Sequence, residues 1–323
     1  MNNSIRPRRR WALAGAPAVL ACAVTLSSAS GAVAALRPTA NTGNAVAVSY
    51  SSATLRGSVN PEGSDTSYYF QYGLTRAYGG QSAIADAGAG THSVPISLPV
   101  SGLQPVSVYH YRLVAVNSAG ASIGSDHTLL TTKVPLSLAI LASPNPLPFG
   151  GTATIQGTLS GTGNAGREVT LQADPFPYAT GFQPLGNPEV TNATGGFQFV
   201  VSGLAQVTQF RVVTSTKPQV VSPVALENVA VLVASHIRHA HRRGYARFYG
   251  TVTPAEPGMQ VGILRIEHGH GVLVGGTALQ PLSATSSHFS SRAVRVRRGV
   301  YRVLVRVTTG AQVSAYGQPL VIR

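Results

Sequence analysis

Gly102-Leu103-Gln104-Pro105-Val106-Ser107-Val108-Tyr109-His110-Tyr111-Arg112-Leu113-Val114-Ala115-Val116-Asn117 is the stretch whose reading decides the fold. It reads as a polar turn, a proline, and then a strand that alternates with period two. The rest of the chain, beyond its N-terminal leader, agrees. Pro and Gly interrupt it too often for a long helix, and no stretch sustains a 3.6-residue period.

Two landmarks recur. Ala53-Thr-Leu-Arg-Gly57-Ser-Val returns as Ala153-Thr-Ile-Gln-Gly157-Thr-Leu and as Ala246-Arg-Phe-Tyr-Gly250-Thr-Val, offset by 100 and then 93 residues. An aromatic followed by Arg and two apolar residues occurs at Tyr111-Arg112, Phe210-Arg211 and Tyr301-Arg302, offset by 99 and 91. Either landmark alone is short. Their agreement on one period predicts an all-β chain of three tandem antiparallel sandwiches.

The spacing Leu103-x-Pro105-x-x-x-Tyr109 resembles the fibronectin type III family. That resemblance implies a tyrosine corner: the Tyr109 ring in the core, its hydroxyl bonded back to nearby backbone, with Leu103 and Pro105 as structural residues. It implies a fold and no chemistry. The core Trp common in that family has no counterpart here. The expected division is a signal peptide at 1–34, a fibronectin type III-like sandwich at 44–133, an immunoglobulin-like sandwich at 136–228 and an Arg-rich immunoglobulin-like sandwich at 229–323. In the first, a strand is expected over 45–50 and a glycine-rich loop over 83–91. In the second, Phe176, Tyr178 and Phe182 share a long loop, read as covering the module's own core rather than as a sugar-stacking surface.

The N-terminus reads as a secretory signal. Arg6, Arg8, Arg9 and Arg10 precede an apolar run from Trp11 to Leu26 that ends near Ala32-Val33-Ala34, an A-x-A cleavage site. Cleavage there removes the only Cys, Cys22, and the only Trp, Trp11. The mature chain then holds no disulfide and no membrane span, and is expected to be secreted or on the cell surface. The alternative is a lipoprotein anchored at Cys22, because Val19-Leu20-Ala21-Cys22 loosely resembles a lipobox.

The whole chain carries +14, and +10 once the signal leaves. Only Lys133 and Lys217 are Lys, which points to a GC-rich bacterial genome and makes part of the Arg content compositional. Composition acts on all modules alike, yet residues 229–323 hold twelve Arg against Glu256 and Glu267 alone. Two patches stand out: Arg238, Arg242, Arg243 and Arg247, and then Arg295, Arg297, Arg302 and Arg306. If Arg298-Gly299 is a two-residue turn, Val296 faces Tyr301 and Arg295 opposes Arg302. The arginines are read as ligand-binding groups for an anionic polymer, because a guanidinium takes carboxylate or phosphate bidentately. The alternative is a solvated basic face.

His236, His239 and His241, and separately His268 and His270, are read as exposed histidines rather than metal ligands, since Arg238, Arg242 and Arg243 repel a cation. No cofactor is expected. Catalysis lacks support: there is no Gly-x-Ser-x-Gly elbow, Asp126 and His127 point to opposite faces of a strand, and no carboxylate pair sits near a motif. The expected function is a non-catalytic extracellular or cell-surface binding protein. Its partner is an anionic cell-envelope polysaccharide or another surface protein, and not a nucleic acid. A structural spacer is the alternative, and an unrecognised hydrolase the remotest reading.

Overall fold

The computed structural model describes residues 34–323. The expected signal peptide, with Trp11 and Cys22, lies outside them. The chain folds into three tandem β-sandwiches, each closed over its own apolar core.

In the first sandwich the strands are β1 (Thr39–Thr42), β2 (Ser52–Asn60), β3 (Thr66–Gly73), β4 (Gly80–Gln81), β5 (Ala85–Gly88), β6 (Val94–Ser101), β7 (Val108–Asn117), β8 (Gly120–Ile123) and β9 (His127–Leu130). One sheet runs β1-β2-β6; the other runs β4-β3-β7-β8, with β5 on β3 and β9 on β7. The strand expected over 45–50 is absent: Ala47 takes φ 48°, which breaks extension, and only Val46 makes a bridge, to Thr54. Thr39–Thr42 supplies the edge strand instead. The expected loop over 83–91 contains β5, antiparallel to β3.

In the second sandwich the strands are β10 (Ser137–Ser143), β11 (Leu147–Pro148), β12 (Gly151–Ser160), β13 (Glu168–Pro175), β14 (Gln183–Pro184), β15 (Glu189–Val190), β16 (Gly196–Leu204), β17 (Thr208–Thr214), β18 (Ala225–Glu227) and β19 (Val229–Ala230). Its sheets run β10-β12-β16 and β14-β13-β17-β18, while β11 pairs in parallel with β19. The third contains β20 (Leu232–His239), β21 (Tyr245–Thr253), β22 (Gln260–Glu267), β23 (His270–Ala278), β24 (Gln280–Pro281), β25 (Ser287–Ser290), β26 (Val294–Arg295), β27 (Gly299–Arg306), β28 (Ala315–Tyr316) and β29 (Leu320–Ile322). Its sheets run β20-β21-β25-β24, with β26 also on β21, and β23-β22-β27-β28, with β29 on β27.

Both recurring landmarks have a physical cause. Gly57, Gly157 and Gly250 sit on the central strands β2, β12 and β21. A Cβ there would lie 2.6 Å from the Asn41 carbonyl oxygen in the first sandwich, 2.7 Å from that of Ala139 in the second, and would overlap that of Ala234 in the third. The missing side chain lets the edge strand close onto its neighbour. The second landmark fixes the opposite sheet. Tyr111, Phe210 and Tyr301 are each essentially fully buried, and the following Arg turns outward onto an aromatic ring: Arg112 lies 4.4 Å over Tyr78, Arg211 4.2 Å over Phe182 and Arg302 4.7 Å over Tyr316. Such contacts contribute about 0.5–1 kcal/mol each at exposed sites.

The corner in the first sandwich forms as the resemblance implies. Tyr109 is buried and its hydroxyl accepts the Gln104 N–H at 2.9 Å. Leu103 is buried beside it. In the third, Tyr301, which matches Tyr111 in the repeat, closes on backbone by another route: its hydroxyl accepts the Arg297 N–H at 2.8 Å and donates to the Arg297 carbonyl at 3.0 Å.

The second and third sandwiches are joined by backbone. Val207 N–H donates to Ala311 at 2.7 Å, and Val313 N–H to Val229 at 2.8 Å. Phe176, read as covering its own module, instead lies against Gly310 of the third sandwich, with Tyr178 edge-on to it.

Glu227, at the end of β18, precedes this junction. It is fully buried and neither carboxylate oxygen has a hydrogen-bond partner. Burial pushes its carboxyl up from 4.5 to about 7. The folded chain therefore holds a proton that the unfolded chain releases, so the stability linked to this group is complete below pH 4.5 and lost as pH rises through about 7. Glu227→Gln is expected to exceed the parent in stability at pH 8 by on the order of 2–3 kcal/mol, and to differ little at pH 4. Denaturant melts of both proteins at the two pH values measure this; the same gap at pH 4 and 8 would assign the pH dependence elsewhere.

Candidate functional site

The basic end of the third sandwich is built by the register of β20 on β21. Gly250 lets β20 close onto β21 beside Ala234, with Ser235 opposite Gly250. Ala246, Phe248 and Val252 then face the core. The alternate residues face out, and pairing places His236 opposite Tyr249 and Arg238 opposite Arg247. Two like charges directly opposed on adjacent strands destabilise the pair by up to about 1 kcal/mol. Both arginines are exposed.

The sheet opens beside that row. β25 follows β21 from Val252 to Tyr249, and the chain steps away only after Ser291. Ser291 stitches the step, its hydroxyl accepting the Phe248 N–H at 3.0 Å and its N–H donating to the Phe248 carbonyl at 2.8 Å. Pairing resumes with β26, where Arg295 lies opposite Tyr245. The step leaves a recess of about 450 Å³ lined by Arg238, His239, His241, Arg242, Arg247 and Ala293. A second recess, about 490 Å³, shares Arg242 and adds Arg243, Arg295 and Arg297. Its rim is held by the Val296 N–H on the Gly244 carbonyl at 2.8 Å and by the Arg242 guanidinium 4.5 Å over the Tyr245 ring.

Six of the eight arginines singled out from sequence thus share one end of the sandwich. The expected Arg298-Gly299 hairpin does not form, and this corrects the grouping. β26 pairs with β21 and β27 pairs with β22, so Arg295 and Arg302 belong to opposite sheets. The closure of Tyr301 on Arg297 bends the chain between the two sheets, which a two-residue turn would have kept within one. Arg302 is half-buried over Tyr316 and donates to the Gly317 carbonyl at 3.3 Å. It does there what Arg112 and Arg211 do in the other sandwiches. Arg306 lies at the far end of β27, opposite Gln260. The like-charge pair exists, but it is Arg238 with Arg247.

Among the described residues no ion pair engages the six. Among the described residues the ion pairs are Arg76–Asp126, His110–Asp126 and Arg265–Glu267. Of the third sandwich's two carboxylates, Glu267 is held by Arg265, and Glu256 is buried, which pushes its carboxyl up toward the neutral form. Of the histidines, His239 and His241 line the first recess; His268 and His270 sit at the β22–β23 turn, remote in sequence from it.

Sequence reading missed one polar cluster. Asp126, set aside because it adjoins His127, accepts from the Tyr78 hydroxyl at 2.8 Å and lies 2.8 Å from His110 Nδ1 and 3.1 Å from Arg76 Nε. These partners stand 16 to 50 residues away, so no local motif announces them. Burial pulls the Asp126 carboxyl up, but the bonds from His110 and Tyr78 and the charges of His110 and Arg76 outweigh it and hold it below its ordinary range. The cluster ties the residues around Tyr78 to β7. Its contribution is present above pH 3.8 and lost as pH falls through the lowered value. Asp126→Asn is expected to cost about 1–2 kcal/mol at pH 7 and to cost progressively less toward pH 2 in denaturant melts; a loss that does not shrink on acidification would deny the ionic origin.

Among the described residues no helix is long and apolar enough to cross a membrane. No model of a known protein family matches the sequence, and no curated protein matches it. Similar solved structures include the FN1–FN3 domains of chicken CNTN1, 14% identical, covering 88% of this chain and 97% of that one with a TM-score of 0.30. Domains A168–A170 of titin are 15% identical and cover 89% of this chain and 99% of that one, with a TM-score of 0.37.

Proposed function

We propose that this protein is a non-catalytic extracellular or cell-surface binding protein whose third sandwich contacts an anionic polymer of the cell envelope. The observation that carries the reading is the exposed cross-strand pair Arg238–Arg247, continued through Arg242, Arg243, Arg295 and Arg297 around two open recesses. A sheet that sets like charges opposite one another gives up stability; a bound polyanion restores it.

The non-catalytic reading draws on the carboxylates. Glu227 is sealed from solvent, and Asp126 is engaged by three partners. A second reading, a structural spacer, is supported by the backbone bonds that dock the second sandwich on the third. The two readings separate on salt, because binding through several arginines weakens as ionic strength rises.

The test is co-sedimentation of the mature chain with isolated cell envelope at low and high salt. The parent is expected to pellet at about 0.05 M salt and to be released near 0.5 M. Replacing Arg238, Arg247, Arg295 and Arg297 by Gln should leave the protein in the supernatant, with a melting temperature no lower than the parent's. Replacing Arg302 and Arg306 by Gln should leave pelleting unchanged. If the fourfold variant pellets like the parent, the basic end is not the contact surface.

A further inference from the structure

We infer that the outer face of the β20–β21–β25 sheet carries a sugar-ring subsite beside the Arg238–Arg247 row, so that the anionic ligand is an acidic polysaccharide. This rests on the anionic-polymer reading above and names its substrate class.

The row next to the arginines is aromatic. His236 and Tyr249 are cross-strand partners, with ring centroids 5.5 Å apart and planes inclined by 30°. Tyr249 is 43% exposed, although nothing in the fold requires a tyrosine on a solvent-facing row. The rings form one wall of a recess of about 450 Å³, whose lining also includes Thr251, Leu282, His288 and Ser290. Leu282 is exposed at its rim. His288 lies opposite Thr251, and its Nδ1 is buried without a hydrogen-bond partner. An apolar platform ringed by hydroxyls suits a sugar, which offers C–H groups on one face and hydroxyls around its edge.

The two rows are two residues apart along each strand, about 7 Å at strand rise. A ring seated on Tyr249 can therefore reach the guanidinium row with its own carboxylate or with that of the adjacent sugar, and an arginine fork takes carboxylate bidentately. A bare polyphosphate has no use for the aromatic row. Single-stranded nucleic acid would use successive stacking platforms along its path. Here the rows flanking Tyr249 are Arg238–Arg247 on one side and Ala234–Thr251 on the other, so one ring is supported and its neighbours are not.

The experiment measures equilibrium binding of the mature chain to polygalacturonate, inorganic polyphosphate and oligo-dT at one salt concentration. Polygalacturonate is expected to bind most tightly. Tyr249→Ala should weaken it about tenfold and leave polyphosphate within about twofold, while Tyr249→Phe, which keeps the ring, stays near the parent. Arg238→Gln with Arg247→Gln should weaken both polymers. If Tyr249→Ala leaves polygalacturonate binding unchanged while the arginine variant weakens it, the sugar subsite is wrong and the anionic-polymer reading stands. If oligo-dT or polyphosphate binds more tightly than polygalacturonate, the substrate class is wrong. If none of the three binds, both readings fall.

Discussion

The constraint on which the rest depends is the close approach of an edge strand to a central one at a glycine. At Gly57, Gly157 and Gly250 a single added carbon would collide with a neighbouring carbonyl. Strand pairing has a side-chain period of two, so a slip of one residue would send Phe248 to solvent and Arg247 into the core. Gly250 is a place where only one register brings a residue without Cβ beside Ala234. Everything on the outer face follows from that register. Arg238 meets Arg247, His236 meets Tyr249, and Ala234 meets Thr251.

The repeat also separates structural arginines from the others. Arg112, Arg211 and Arg302 follow a buried aromatic, turn outward and lie over a ring. Two of them also bond a glutamine one strand away, Arg112 to Gln71 and Arg211 to Gln172. A residue that recurs with the same contacts in three sandwiches is explained by the sandwich. Arg238 and Arg247 have no such counterparts: the positions matching Arg247 in the repeat are Thr54 and Thr154. The third module's excess of charge lies where the common architecture asks for none.

Much of the fold was legible because it is written locally. The alternation from Val108 to Asn117 is β7 to the residue, and the corner at Tyr109 was implied by a family resemblance that a spacing within seven residues carries. The failures share a cause. Residues 45–50 have strand composition, but Ala47 is left-handed, and Tyr111 captures this segment by donating to Gly43 and accepting from Ala45. The hairpin at Arg298-Gly299 fails because β26 pairs with β21 and β27 with β22, each more than thirty residues away, and adjacency in sequence does not rank those alternatives. Of the candidate site, the residue types and their module were legible. The recesses were not, since they bring β20 and β21 together with residues 293–297, some fifty residues on, and the aromatic row beside the arginines exists only once β20 and β21 are paired.

The energetic balance of the basic end argues against a surface adjusted for stability alone. A carboxylate opposite Arg238 or Arg247 would turn a repulsive cross-strand pair into an attractive one, at an exposed site where substitution meets no packing constraint. The module does hold two carboxylates, and both are elsewhere: Glu267 is committed to Arg265, and Glu256 is buried behind Ser287, whose hydroxyl accepts its N–H at 2.9 Å. The sheet is irregular beside the recesses, where the pairing to β21 shifts by one residue between Ser290 and Val294. Uncompensated charge weakens a free sandwich, while an interrupted sheet and an exposed aromatic row leave groups without a partner. They converge on one face, and a single bound polyanion with ring-shaped units would neutralise the charge and cover the aromatic row at once.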